Sequence, residues 1–195
     1  HNGIIRNYLE VKEKLVKSGV KFKSQTDTEV VVQLVAFNLK ETKSILTAIC
    51  KSVKELDGSY ALGILFKDEP NKIYAVRKES PLVIGIGNGE NYIASDTPTL
   101  SRFVDKVVRL HDNEIAELSK SGVVFYNSKE EKIEKEIQIV LRTKDVLDKK
   151  GFKHYIAKEI NEQSEVVLTL LQDLLPSSEK PVQLEYLNLN AKTLK

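Results

Sequence analysis

The sequence opens His1-Asn2-Gly3, a triplet with two chemically different readings. Asn-Gly favours positive φ, which makes the pair a turn. The same pair also suits an oxyanion hole. An Asn side-chain NH2 and the adjacent Gly backbone N–H can converge on a developing tetrahedral oxyanion, with Gly allowing close approach. The triplet alone does not choose between them. A second candidate lies in the stretch SQTDTEV, where Asp27 precedes a predicted helix. Its carboxylate is either an N-cap that accepts the first free N–H groups or a partner for a ligand ammonium, and one side chain can serve both ends.

The remaining reactive residue types read as structural. Cys50 falls on the apolar face of a predicted helix beside Leu46 and Val53, with no His nearby in sequence. It reads as a buried core thiol rather than a nucleophile. His1, His111 and His154 show no ligand spacing, so no metal site is expected. The run GIGNGEN (Gly85 to Asn91) has the look of a phosphate-cradling loop. It leads into a strand, however, and lacks the helix N-terminus that a phosphate needs, so a hairpin is the better reading.

The elements that must position these residues follow from periodicity. Residues 6–18 place Tyr8, Val11 and Leu15 at steps of three and four, a one-sided helix ended by Gly19. Residues 20–24 alternate and predict a short strand. A second helix starts near Asp27 with Val30, Val31, Leu34 and Phe37 inward. A third covers 44–55 with Ile45, Ile49, Val53 and Leu56 inward and breaks at Asp57-Gly58. The period then changes. GSYALGILF, KIYAVRK, SPLVIGIG and ENYIASD are four strand-like runs joined by turn residues, and Asn88-Gly89 is a two-residue hairpin signal. A short helix at PTLSRFVD precedes further strands at VVRL, EIAEL, VVFY and KIEKEIQIV. Successive strands with tight turns imply antiparallel sheet that the helices must cover. Residues 142–151 are polar and read as a linker. A last helix spans roughly 152–174, and a Ser- and Pro-marked tail follows.

Composition bounds the partners. The chain has 195 residues, 41% of them hydrophobic, with 30 Lys+Arg against 28 Asp+Glu. That balance argues against nucleic acid and against an acidic membrane surface. No apolar run approaches the roughly 18 residues of a membrane span. A single Cys rules out an internal disulfide and points to a reducing, cytoplasmic setting. No Met occurs anywhere, and we read the chain as a piece of a longer one.

Together these stretches resemble a known family. HNGIIRNYLEVKEKL with SGVKFKSQTDTEV, then LDGSYALGIL, SPLVIGIGNGENYIASDTPTL, HDNEIAEL and KGFKHYIAKEINEQ resemble the glutaminase domain of the glutamine–fructose-6-phosphate aminotransferases (isomerizing), over about residues 1–164. Amidophosphoribosyltransferases share the HNG and TDTE elements but not the SPLVIG…ASD wording. The resemblance implies an α+β fold, an N-terminal-nucleophile hydrolase sandwich of antiparallel sheets between helical layers, here incomplete at its N-terminus. It implies that Asn2 and Gly3 are oxyanion-hole donors and that Asp27 holds the α-amino group of glutamine. It further implies residues 1–141 as the later part of the glutaminase domain, 142–151 as linker, and 152–195 as the start of an isomerase half. No metal, nucleotide or pyridoxal cofactor follows from it. In the family the nucleophilic Cys and an Arg segment that clamps the glutamine carboxylate precede the HNG motif, and the sugar-phosphate loop lies beyond the junction. The implied partners are therefore glutamine, those flanking segments and, in the intact enzyme, further copies of itself. The chain alone is expected to be inactive. The rival expectation is a non-catalytic binding or interaction module that keeps the same fold.

Overall fold

The computed structural model describes residues 1–140 and 149–174. The chain divides into two units, His1–Val146 and Leu147–Lys195, and each is described by itself. In the first unit β1 (Asn2–Ile5) leads into three helices, α1 (Tyr8–Lys17), α2 (Asp27–Thr42) and α3 (Ile45–Glu55). Strands β2 (Gly58–Leu65), β3 (Lys72–Lys78), β4 (Val83–Ile86) and β5 (Asn91–Ala94) follow. After the short α4 (Thr97–Leu100) come β6 (Lys106–Arg109), β7 (Ile115–Ser119), β8 (Gly122–Tyr126), β9 (Lys132–Ile133) and β10 (Gln138–Ile139). In the second unit the described element is α5 (Tyr155–Leu174).

The strands form two sheets, one ordered β1-β2-β3-β7-β8-β9 and the other β10-β6-β4-β5, and every pairing is antiparallel. Alternation along the strands sorts the side chains into layers. Tyr60, Leu62, Tyr74, Val76 and Ile115 meet Val11, Leu15, Val30, Leu34, Ile49 and Val53 of the three helices. The opposite face presents small residues, Ala61, Ala75 and Ala116, against Ile84 and Val108 of the second sheet and Leu110 just after β6. The sheets approach closely there: a Cβ on Gly63 would lie 2.7 Å from Ile93 Cδ1. On the far side of the second sheet, Val83 and Val107 pack with Leu100 and Val104 at and after α4. The order is therefore helices, sheet, sheet, and a reduced helical cover, the α+β sandwich expected from the sequence.

Three expectations are corrected. Residues 20–24 form no strand. The N–H groups of Lys23 and Ser24 go to the Glu29 carboxylate rather than to a neighbouring strand. The alternation of this stretch records an irregular segment whose Val20 and Phe22 pack on the helical core. KIEKEIQIV is not one strand. It supplies β9 to one sheet edge and β10 to an edge of the other. Asp27 is not the N-cap of α2, because Thr26 fills that position, extended at φ −78° and ψ 145°, with its side chain accepting the Glu29 N–H. The predicted linker falls largely, and the tail after residue 174 wholly, outside the described residues. Among the described residues, no helix is long and apolar enough to cross a membrane, and no cluster of His, Cys, Asp or Glu has the makings of a metal site.

Candidate functional site

Asn2-Gly3 is a strand, not a turn. Asn2, Gly3, Ile4 and Ile5 pair in register with Ala61, Tyr60, Ser59 and Gly58 of β2. Glycine is required at position 3 because φ is +115° and a Cβ would sit 2.1 Å from the carbonyl oxygen of Ser59. Direction then follows from the hydrogen bonds further along the strand. Arg6 N–H donates to the Asp57 carbonyl at 2.7 Å, whereas Ile5 N–H donates to Asp27 Oδ2 at 3.0 Å. N–H groups alternate in direction along a strand, so Gly3 N–H points the same way as that of Ile5. It faces away from β2, onto the open edge of the six-stranded sheet.

The other polar side chains of the opening motif are occupied. His1 Nδ1 lies 2.8 Å from Thr28 Oγ1 and 3.9 Å from Asp27 Oδ1. Arg6 makes a two-pronged contact with Asp57, Nε to Oδ2 at 3.1 Å and Nη2 to Oδ1 at 3.0 Å. This contact, with Lys78 adding its charge, holds the Asp57 carboxyl below its ordinary range. Asn7 donates to the Glu55 carbonyl and accepts from Asp57 N–H. These contacts fasten the corner between β1 and α1. Asn2 is the exception: among the described residues its side chain makes no hydrogen bond, and it is exposed. It lines a cavity of about 250 Å³ with Pro81, Leu82, Ile93 and Ser95. A larger cleft of about 320 Å³ lies between α2 and β2; its walls are mostly apolar, Val31, Val35, Leu39 and Leu62 among them, with His1, Thr28 and Lys67 as polar members, and Asn2 does not line it.

Asp27 begins α2 and is held against β1 by one oxygen. Oδ2 accepts from Ile5 N–H, while Oδ1 makes no hydrogen bond among the described residues and has His1 Nδ1 3.9 Å away. Two of the three predicted site residues thus share one strand. The third reaches the N–H that neighbours Gly3's on the same edge, one alternation away, about 7 Å along the strand. Reading the sequence did not single out Glu29. Its carboxylate accepts Lys23 N–H at 2.8 Å and both the N–H and the hydroxyl of Ser24 at 2.5 Å. These bonds, the Ser24 hydroxyl foremost and then the Lys23 N–H, hold its carboxyl down at about 2. The signal was present as Thr26-x-x-Glu29, the spacing of a capping box. Here the Glu reaches past the cap to Ser24 and Lys23, two and three positions before it.

Cys50 is the core thiol expected. It is 1% exposed between α2 and α3, and burial pushes its thiol up to about 11. Such a group is neither ionised nor accessible at neutral pH. His111 is exposed beside Glu114, away from the strand edge. Gly85–Asn91 closes the β4–β5 hairpin, as its sequence implied.

Comparison with known proteins gives a consistent picture. Residues 1–102 match the model of a glutamine amidotransferase domain. The chain is 42% identical over 179 residues to the glutamine–fructose-6-phosphate aminotransferase (isomerizing) of Aquifex aeolicus, covering 92% of this chain and 30% of that protein. It is 44% identical over 168 residues to the Thermococcus kodakarensis protein of the same name, covering 86% and 28%. Against the one from Clostridium perfringens, identity is 38% over 194 residues, 100% of this chain and 31% of that one. The chain therefore spans about three tenths of the length of these relatives. Among solved structures, the glutamine phosphoribosylpyrophosphate amidotransferase of B. subtilis superposes with a TM-score of 0.55 at 21% identity, over 65% of this chain and 28% of that one. A structure described as the allosteric regulatory enzyme of purine biosynthesis superposes at 0.51 and 23% identity, over 65% and 27%. At these identities the superpositions speak for the shared fold.

Proposed function

The chain belongs to the glutamine amidotransferase domain family, and from that premise we propose that it is the part of an aminotransferase that hydrolyses glutamine and passes the ammonia to fructose 6-phosphate, giving glucosamine 6-phosphate. Asn2 and Gly3 stabilise the oxyanion that forms on the glutamine amide oxygen when the amide carbon is attacked, and Asp27 holds the α-ammonium of the same molecule. The observation that carries this reading is the division of labour in the opening motif. His1, Arg6 and Asn7 are spent on holding the strand, while Asn2 and the Gly3 N–H are left facing outward on the edge that also carries the Asp27 carboxylate, one oxygen of which makes no hydrogen bond among the described residues. The strand pairing fixes the Gly3 N–H before charge develops, and a donor so held stabilises a transition state without reorganising. The nucleophile is not Cys50. We assign that task to the Cys that opens the mature chain in the resembled family, whose own α-amino group serves as its base. In the same reading, residues 1–141 form the later part of the glutaminase domain, 142–151 the linker, and 152–195 the entry to the isomerase half. The division of the chain between Val146 and Leu147 supports that order.

The test is glutamate release by the longer protein that carries this domain. Asp27→Asn keeps an oxygen for the Ile5 N–H, and the Thr26 cap is untouched. It removes only the charge, so it weakens glutamine binding at little cost in fold. Full glutamine affinity in that variant overturns the assignment of Asp27.

A further inference from the structure

We propose that Glu29 is a positioning residue for Asp27: by tying residues 23 and 24 to the first turn of α2, its carboxylate fixes where Asp27 meets β1. The inference rests on the reading of Asp27 as the partner of the substrate ammonium, and it adds a residue to that site.

The argument begins with what holds residues 20–26. They belong to no sheet, so their backbone groups need other partners. Glu29 partners two of them, the Lys23 and Ser24 N–H groups, and accepts from the Ser24 hydroxyl as well, while Lys12 and Gln33 donate to the Ser24 and Lys21 carbonyls. Its own N–H donates to Thr26 Oγ1 at 3.3 Å, and Thr26 Oγ1 lies 3.0 Å from the Ser24 hydroxyl. The segment is therefore closed from both sides onto one turn of helix, and Asp27 is the residue between the two closures. Asp27 and Glu29 are two positions apart on a helix, about 200° around its axis, so Glu29 does not act by touching Asp27. It acts through the backbone that enters the helix. What depends on this placement is the hydrogen bond from Ile5 N–H to Asp27 Oδ2 at 3.0 Å, with the 2.8 Å contact of His1 Nδ1 and Thr28 Oγ1 beside it. The Ile5–Asp27 bond joins α2 to the strand bearing Asn2 and Gly3, and leaves Oδ1 with no hydrogen bond among the described residues, His1 Nδ1 being 3.9 Å away.

Glu29→Gln is the informative change, because it keeps the size and one acceptor. The new NH2 replaces an oxygen that accepts from Lys23 or from Ser24, so at least one of those donors is left facing a donor. Residue-resolved amide hydrogen exchange on this chain is the direct readout. We expect exchange about tenfold faster at Lys23 and Ser24 and about threefold faster at Ile5, with Val35–Leu39 in the middle of α2 within about twofold of the parent. Faster exchange at Lys23 and Ser24 with Ile5 unchanged overturns the proposal, since the clamp then does not reach Asp27. The longer protein supplies the second readout, glutamate release. There Glu29→Gln raises the KM for glutamine about three- to tenfold and leaves kcat within about twofold, the pattern of lost substrate binding rather than lost transition-state stabilisation. If Ile5 exchange accelerates and KM does not move, the assignment of Asp27 to the ammonium fails while the positioning by Glu29 stands. Should Glu29→Gln not fold, Ser24→Ala removes one donor from the same carboxylate. It carries the same signature at smaller size, and the same unchanged Ile5 overturns the proposal.

Discussion

The dipeptide Asn-Gly occurs twice in this chain, at Asn2-Gly3 and at Asn88-Gly89, and the two copies do unlike things. Both glycines take positive φ, +115° at Gly3 and +76° at Gly89. At Gly89 a Cβ would meet nothing within 4 Å; at Gly3 it would run into the Ser59 carbonyl. The second copy turns the chain between β4 and β5, closed by a 3.0 Å bond from Gly87 N–H to the Glu90 carbonyl. The first sits inside a strand with four paired residues. Local preference for positive φ is therefore shared, and the role is set by what lies opposite. Against open solvent the dipeptide is a turn. Against a neighbouring strand the missing Cβ lets the two backbones approach, and the N–H on the other side is left for a ligand.

This difference orders the expected effects of substitution. The largest belongs to Gly3→Ala. A methyl group directed at a backbone carbonyl finds no side chain to push aside, and the φ is unfavourable as well. Together these cost about 3–5 kcal/mol of stability, measured as a shift of the urea unfolding midpoint, and activity of the longer protein is lost with the register of β1. A loss as small as that of Gly89→Ala would mean that β1 does not pair as described. Next comes Asn2→Ala. The side chain has no structural partner among the described residues, so stability stays within about 0.5 kcal/mol. Turnover of glutamine in the longer protein falls by roughly 10²–10³, about 3 kcal/mol for one oxyanion donor. Unchanged turnover would return Asn2 to the class of Asn88. The separation of the two effects is the sharper result, since a residue that matters only to the fold loses both together.

The same contrast shows what could be read without coordinates. The helices α2 and α3 were legible because Val30, Leu34, Ile49 and Val53 recur at helical spacing and all prove buried. The β4–β5 hairpin was legible because alternating runs flank Asn88-Gly89. The strand Asn2–Ile5 was not. It is four residues long, three of them exposed, and its glycine breaks the alternation that marks a strand. Nor was the segment before α2 legible, since VKFKS alternates for reasons of packing and its N–H groups go to Glu29 rather than to a neighbouring strand. Asp27 was found as a residue but misplaced by one position, because Thr26 and Asp27 are both good caps and only the hydrogen bond to Glu29 N–H decides between them. The idle side chain of Asn2 is a relational fact. It depends on Thr28, Asp57 and Glu55 having taken up the rest of the motif.

The two smallest effects belong to the hairpin copy and complete the comparison. Gly89→Ala places an L residue in the left-handed region with room for its Cβ. The cost is the conformational one alone, about 1 kcal/mol, with no change in glutamine turnover. Asn88→Ala costs less still. A type I′ hairpin would need positive φ at both central residues, which is the usual reason for Asn at the first of them. Here only Gly89 has it, and Asn88 is not among the non-glycine residues with positive φ. Asn88 is also exposed, and among the described residues its side chain makes no hydrogen bond. Replacing it removes neither a contact nor a rare conformation, so the unfolding midpoint moves by no more than about 0.5 kcal/mol in free-energy equivalent. Equal stability with equal glutamine turnover in Asn88→Ala, set beside equal stability with lost turnover in Asn2→Ala, isolates the function of the first dipeptide. A drop beyond 1 kcal/mol in Asn88→Ala would show that the hairpin does draw on its asparagine, and that the two copies are closer kin than their surroundings suggest.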